Sequence, residues 1–109
     1  MHARALATLA ALIGLALLPG AATSAAPPAN RITIKDFMFA PTSLTIKAGT
    51  TVTWLNEDEE PHTVVSATGL FRSQAIDTKE SFAFKFDKPG EYHFICTIHP
   101  QMMGTVIVQ

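Results

Sequence analysis

The chain has 109 residues and a formal net charge of −1, with 16% charged side chains. A length of this order predicts one domain, and the lack of excess positive charge argues against nucleic acid as a partner. The single cysteine, Cys96, excludes an internal disulfide.

The first 26 residues have the pattern of a secretory signal peptide. His2 and Arg4 give a short positive start, an apolar stretch covers residues 5–18, and small residues lead to Ala26. The apolar stretch is shorter than the roughly 20 residues of a membrane-spanning helix, which disfavours an uncleaved anchor. We therefore predict cleavage near Ala26, a mature domain over residues 27–109, and no membrane insertion of the mature chain.

The mature segment consists of short apolar runs separated by turn signals, without a sustained helical period. Such runs predict an all-β sandwich or barrel. The alternating apolar positions are Ile32 and Ile34, Phe37 and Phe39, Leu44 and Ile46, Val52 and Trp54, Phe82, Phe84 and Phe86, Tyr92, Phe94 and Cys96, and Val106 and Val108. The adjacent pair Val64 and Val65 follows His62. We expect Trp54, the three alternating Phe residues and Tyr92 in the core, and His93 on the surface.

An acidic run interrupts this pattern before His62. Glu57, Asp58, Glu59 and Glu60 are consecutive, and such a run is expected to form a solvated loop.

The lone thiol lies in an evenly spaced group of soft donors. Cys96, His99 and Met102 are three residues apart, in a loop that precedes the strand beginning near Thr105. In a sandwich, the loop that carries His62 can lie beside it. Two imidazoles, one thiolate and a weak thioether favour copper in an electron-transfer site. A zinc site seldom includes Met. An intermolecular disulfide, a buried inert thiol and a Cys–His nucleophile stay open, but they do not explain Met102 or the second His.

Three stretches resemble the cupredoxin family, and within it most closely the amicyanin group. They are "FMFAPTSLTIKAG", "AGTTVTWLNEDEEPHTV" and "PGEYHFICTIHPQMMGTVIV", which together cover much of the mature chain. The resemblance implies a Greek-key β-sandwich of about seven to eight strands and one type 1 (blue) copper ion. It assigns His62, Cys96 and His99 as equatorial ligands and Met102 as the axial ligand. Ile98 replaces the usual Pro, and Met103 adds a second candidate thioether.

The resemblance also implies a function and a setting. The chain would be a periplasmic monomer that carries one electron between a donor, such as a dehydrogenase, and an acceptor, such as a c-type cytochrome. Asn56 would either hydrogen-bond across to the loop at Cys96–Thr97 or serve as a turn former.

The residues argue against two other copper functions and leave a third open. An oxidase or nitrite reductase requires a second metal centre with further His ligands, and a binuclear copper domain requires two cysteines, so we predict no enzymatic activity. A copper storage or delivery protein stays open, because adjacent Met102 and Met103 would suit a more labile site.

Overall fold

The computed structural model describes residues 30–109, so the predicted signal peptide and its cleavage site lie outside the described residues. The strands in this part of the chain are β1 (Arg31–Lys35), β2 (Met38–Ala40), β3 (Ser43–Ile46), β4 (Thr50–Asn56), β5 (Val65–Ser66), β6 (Ser81–Phe86), β7 (Gly90–Ile95) and β8 (Met103–Val108). Among residues 30–109, no helix has the length and apolar character needed to cross a membrane.

The strands form two four-stranded sheets, which confirms the predicted all-β sandwich. The strand order is β2-β1-β4-β6 in one sheet and β3-β8-β7-β5 in the other. β1 pairs with β4 in parallel, and β3 pairs with β8 in parallel, whereas the other pairs are antiparallel. The chain changes sheet at each connection from β2 to β7. Loops that are distant in sequence are thereby brought together at the ends of the sheets.

Alternating side chains from both sheets fill the space between them. Trp54 is fully buried, and its ring lies 5.3–6.4 Å from the rings of Phe71, Phe82, Phe86 and Phe94. The buried core comprises Ile32, Ile34, Phe39, Ile46, Val52, Trp54, Val64, Phe71, Ile76, Phe86, Phe94, Cys96, Met102, Val106 and Val108. The predicted core residues Phe82, Phe84 and Tyr92 are half-buried against this cluster, and His93 is exposed as expected. Cys96 and Met102 thus belong to the buried interior.

Phe37 is not part of a buried alternating pair, contrary to the sequence prediction. Asp36 and Phe37 form a two-residue turn between β1 and β2, with φ of 54° and 58°. Two-residue hairpins of this geometry favour Asn-Gly because both central residues need positive φ, which costs about 1–2 kcal/mol per ordinary residue. The turn leaves the Phe37 side chain 43% exposed, next to the candidate site described below.

Candidate metal centre

Two neighbouring loops carry the residues predicted to bind a metal. Cys96 directly follows β7, and Met102 directly precedes β8, so both lie in the connection between two antiparallel strands. The connection closes on itself, because Cys96 N donates to Met102 O at 3.1 Å and Met102 N donates to His99 O at 2.9 Å. The other loop follows β4, and its His62 is held by backbone hydrogen bonds in both directions with Ile76, at 3.2 and 2.7 Å.

The Cys96 thiol is fully buried and faces a ring nitrogen. Its Sγ lies 3.8 Å from Nδ1 of His62, which is also fully buried. The sulfur accepts hydrogen bonds from the backbone N–H groups of Thr63 and His99, each at 3.4 Å. Hydrogen bonding and apolar burial around a Cys ligand are two of the factors that set the potential of a copper site.

His99 and Met102 complete the predicted set in different ways. The His99 ring is half-buried, with its centroid 5.2 Å from that of His62. Met102 is 3% exposed and belongs to the same core cluster as Cys96. Met103 is 61% exposed on β8, pairs with Ile95 and points away from the interior.

The four predicted ligands lie close together but do not form a complete coordination site. Within residues 30–109, no three His, Cys, Asp or Glu side chains are arranged so that they could hold a metal ion. Cys96 meets a ring nitrogen of His62, whereas His99 meets the sulfur through its backbone amide. The His99 ring instead packs edge-on against Phe37, with centroids 4.9 Å apart.

Asp58 is the participant that the sequence did not reveal. The acidic run was predicted to be a solvated loop, but Asp58 is only 9% exposed, and its Oδ2 lies 2.9 Å from Nε2 of His62. Its two oxygens also accept the backbone N–H groups of Asp36 at 2.7 Å and Phe37 at 3.0 Å. The prediction failed for Asp58 because a run of like charges does not show which member turns inward.

The carboxyl of Asp58 is held in its charged form. Burial raises its pKa, but the hydrogen bonds from Phe37, Asp36 and His62 lower it more, so the pKa lies below its ordinary value. An ionised carboxylate only accepts hydrogen bonds. The three N–H groups around Asp58 therefore all donate to it.

Thr63, and not Asn56, connects the two loops. Thr63 Oγ1 lies 2.7 Å from Thr97 Oγ1 and accepts Thr97 N–H at 2.8 Å. Asn56 stays within its own side of the site: its Oδ1 accepts Asp58 N–H at 2.8 Å, and its Nδ2 donates to Glu60 O and Ile76 O. The turn-forming alternative for Asn56 is therefore correct. No sequence pattern pointed to this role of Thr63 beyond its position directly after His62.

Comparison with known proteins identifies the family. A family model described as a cupredoxin-like domain matches residues 7–108. The chain belongs to the cupredoxin family. An amicyanin from Paracoccus versutus is 34% identical over 96 residues, which cover 84% of this chain and 73% of that protein.

Two solved structures agree with this assignment. A purple cupredoxin from Nitrosopumilus maritimus has a TM-score of 0.67 and 33% identity, covering 72% of this chain and 98% of its own. The Cu(I) form of an amicyanin variant has a TM-score of 0.71 and 29% identity, covering 78% and 86%. The resemblance to cupredoxins and amicyanins seen in the sequence is thus confirmed.

The donor atoms of this cupredoxin fit a copper ion. A metal with bonds of about 2.0–2.1 Å to imidazole nitrogen and about 2.3 Å to sulfur separates these two atoms by about 3.5–3.8 Å, for angles from tetrahedral to trigonal. The observed separation between His62 Nδ1 and Cys96 Sγ is 3.8 Å. Two imidazoles, a thiol and a buried thioether also form the soft and borderline donor set that suits copper.

Proposed function

We propose that this cupredoxin carries single electrons between redox partners through one type 1 copper ion. His62, Cys96 and His99 would be the strong ligands and Met102 the weak axial ligand. Copper would supply the one-electron couple between Cu(II) and Cu(I). The chain would be exported to the periplasm after cleavage near Ala26 and would act as a monomer without enzymatic activity of its own.

The observation that carries this proposal is the burial of the paired donors in a rigid interior. Cys96 and His62 are fully buried between two hydrogen-bonded loops, and Met102 lies in the core beside them. A site held in this way changes little when its charge changes, which favours rapid electron transfer. The thiol of Cys96 is also shielded from solvent, as expected for a site that exchanges electrons and not atoms.

His99 provides the route by which an electron would leave. Among the four proposed ligands, His99 alone is half-buried, whereas the other three are buried. The exposed ring of Phe37 packs against the His99 ring, and the exposed Ile98 precedes His99 in the chain. A partner protein docked on this surface would come close to the His99 ring edge. The proposed donor is a dehydrogenase, and the proposed acceptor is a c-type cytochrome.

Copper storage or delivery is the second candidate, and one pair of measurements separates the two functions. A carrier is expected to give a reversible one-electron titration and to lose copper slowly to a competing chelator. A delivery protein would release copper rapidly to the same chelator. The exposure of Met103 on the outer face of β8 is the feature that keeps this alternative under test.

The axial ligand is tested by a matched pair of substitutions. We expect Met102→Leu to keep the intense visible band but to raise the reduction potential, because removing a weak donor destabilises Cu(II) more than Cu(I). Met103→Leu should leave the potential nearly unchanged, since this side chain is 61% exposed and points away from Cys96. Voltammetry of both variants is the measurement. A larger shift in Met103→Leu would assign the axial position to Met103 instead.

The acidic residues before His62 are proposed to attract a basic redox partner. Glu59 and Glu60 are exposed and Glu57 is half-buried, close in sequence to the proposed ligand His62. Such charges would steer a basic partner and make the association rate fall with salt. Replacing all three by Gln should flatten the salt dependence of the reaction with a basic c-type cytochrome, measured by stopped flow. An unchanged slope would mean that these side chains are only solvated.

A further inference from the structure

One carboxylate joins the His62 loop to the turn between the first two strands. Asp58 Oδ2 accepts hydrogen bonds from His62 Nε2 at 2.9 Å and from Phe37 N at 3.0 Å, and Oδ1 accepts Asp36 N–H at 2.7 Å. The two amides lie more than 20 residues away along the chain. β1 and β4 are parallel neighbours with Ile34 opposite Asn56. The turn that follows β1 and the loop that follows β4 therefore lie next to each other at the same edge of the sheet.

The carboxylate determines which nitrogen of His62 carries the proton. Because ionised Asp58 can only accept, Nε2 of His62 must be the donor. The Nδ1 lone pair is then free, and Nδ1 is the nitrogen that lies 3.8 Å from Cys96 Sγ. In metal sites, a carboxylate on the other nitrogen of a ligating His fixes the ring and increases its donor strength.

The same carboxylate supports the turn that places an aromatic ring against both histidines. Asp36 and Phe37 have φ of 54° and 58°, a conformation that ordinary residues rarely adopt. Both of their N–H groups bind Asp58, which compensates for that conformation. The ring of Phe37 then meets His62 and His99 edge-on, with centroid separations of 5.4 and 4.9 Å.

We propose that Asp58 is a positioning residue for the metal site, which aims Nδ1 of His62 at Cys96 and holds Phe37 against the two histidines. The predicted effects on copper affinity and potential rest on the function proposed above, whereas the predicted position of the proton on His62 does not. A negative charge hydrogen-bonded to a ligand stabilises Cu(II) more than Cu(I). Asp58 therefore lowers the reduction potential in addition to holding the loops.

The variant is Asp58→Asn, and the matched control is Glu59→Gln. Both remove one negative charge from the same loop, but Glu59 is exposed. The two variants therefore share the change in net charge, and only Asp58→Asn also removes the charge and the hydrogen bonds at His62. Asn keeps the size of Asp but offers a single acceptor oxygen for three N–H groups. The first readout is nitrogen-15 NMR of the His62 ring in the metal-free protein, in mildly alkaline solution.

The wild type and the control should show one His62 tautomer, with the proton on Nε2 and slow exchange of that proton. Asp58→Asn should show mixed tautomers or rapid exchange. Its Cu(II) affinity should fall by about tenfold or more relative to the control, within the range of 10–100-fold typical of such partners. If its Cu(I) affinity is unchanged, a tenfold loss corresponds to a rise in potential of about 59 mV.

Two results would overturn the proposal. A proton on Nδ1 of His62 in the metal-free wild type would do so without any variant, even if Asp58→Asn does not fold. Equal potentials and equal Cu(II) affinities in Asp58→Asn and Glu59→Gln would do so as well. If the wild type binds no copper in a type 1 site but His62 carries its proton on Nε2, the proposed function fails while the positioning of His62 by Asp58 stands.

Discussion

We expect Cys96→Ser to abolish the intense visible absorption of the copper-loaded protein. That band requires a thiolate bonded to Cu(II), and Cys96 is the single cysteine of the chain. Ser can accept the same hydrogen bonds from Thr63 and His99, so the loops should keep their arrangement. Absorption spectra after addition of Cu(II) give the result directly. Persistence of the band would contradict Cys96 as a ligand.

The same variant should also lose the stabilisation that copper gives to the fold. A ligand that binds only the folded state stabilises it by about 4 kcal/mol when its free concentration is a thousand times its dissociation constant. Copper should therefore raise the melting temperature of the wild type markedly and that of Cys96→Ser far less. Metal-free samples of both proteins provide the baseline. Equal copper-induced shifts would place the binding site elsewhere.

Gly104→Ala should cause the largest loss of stability among small substitutions near the site. A Cβ at this position would lie 2.5 Å from Cζ of Phe94 and 3.1 Å from the carbonyl oxygen of Thr42. The Phe94 ring cannot move freely, because it packs edge-on against Phe39 and Trp54 at 4.8 and 5.3 Å. Overpacking of a core typically costs about 1–3 kcal/mol, and we expect the upper end here.

A double-mutant cycle tests the cause of that loss. Phe94→Leu removes the ring atoms nearest to the new Cβ, so the double variant should be more stable than the sum of the two single effects predicts. Chemical denaturation of the four metal-free proteins measures this coupling. Additive free energies of unfolding would show that the ring of Phe94 is not what excludes a side chain at Gly104.

The strands were predictable because burial on one face imposes a period of two. Val52 and Trp54 are both fully buried in β4, and Val106 and Val108 are buried in β8, as their alternation indicated. Phe37 fits the same alternation but lies in a turn. Its position depends on hydrogen bonds to Asp58, a contact 21 residues away that no local pattern encodes.

The candidate site was predictable only to the extent that residue types reveal chemistry. The spacing of Cys96, His99 and Met102 pointed to one loop, and the structure places them in the connection between β7 and β8. The supporting contacts of Asp58 and Thr63 were missed, because they depend on which loops become neighbours when the chain crosses between sheets. An acidic residue four positions before a candidate ligand is the one signal that could have suggested Asp58.

Titration of the metal-free wild type with Cu(II), followed by visible spectroscopy, tests the central claim most directly. We predict an intense thiolate-to-copper band that grows linearly and stops at one copper per chain, and that disappears reversibly on one-electron reduction. One of the similar structures is a purple cupredoxin, so the wavelength of the band is not part of the prediction. The prediction concerns only whether the intense band is present. A weak spectrum without this band, or several equivalent coppers per chain, would contradict a single type 1 site.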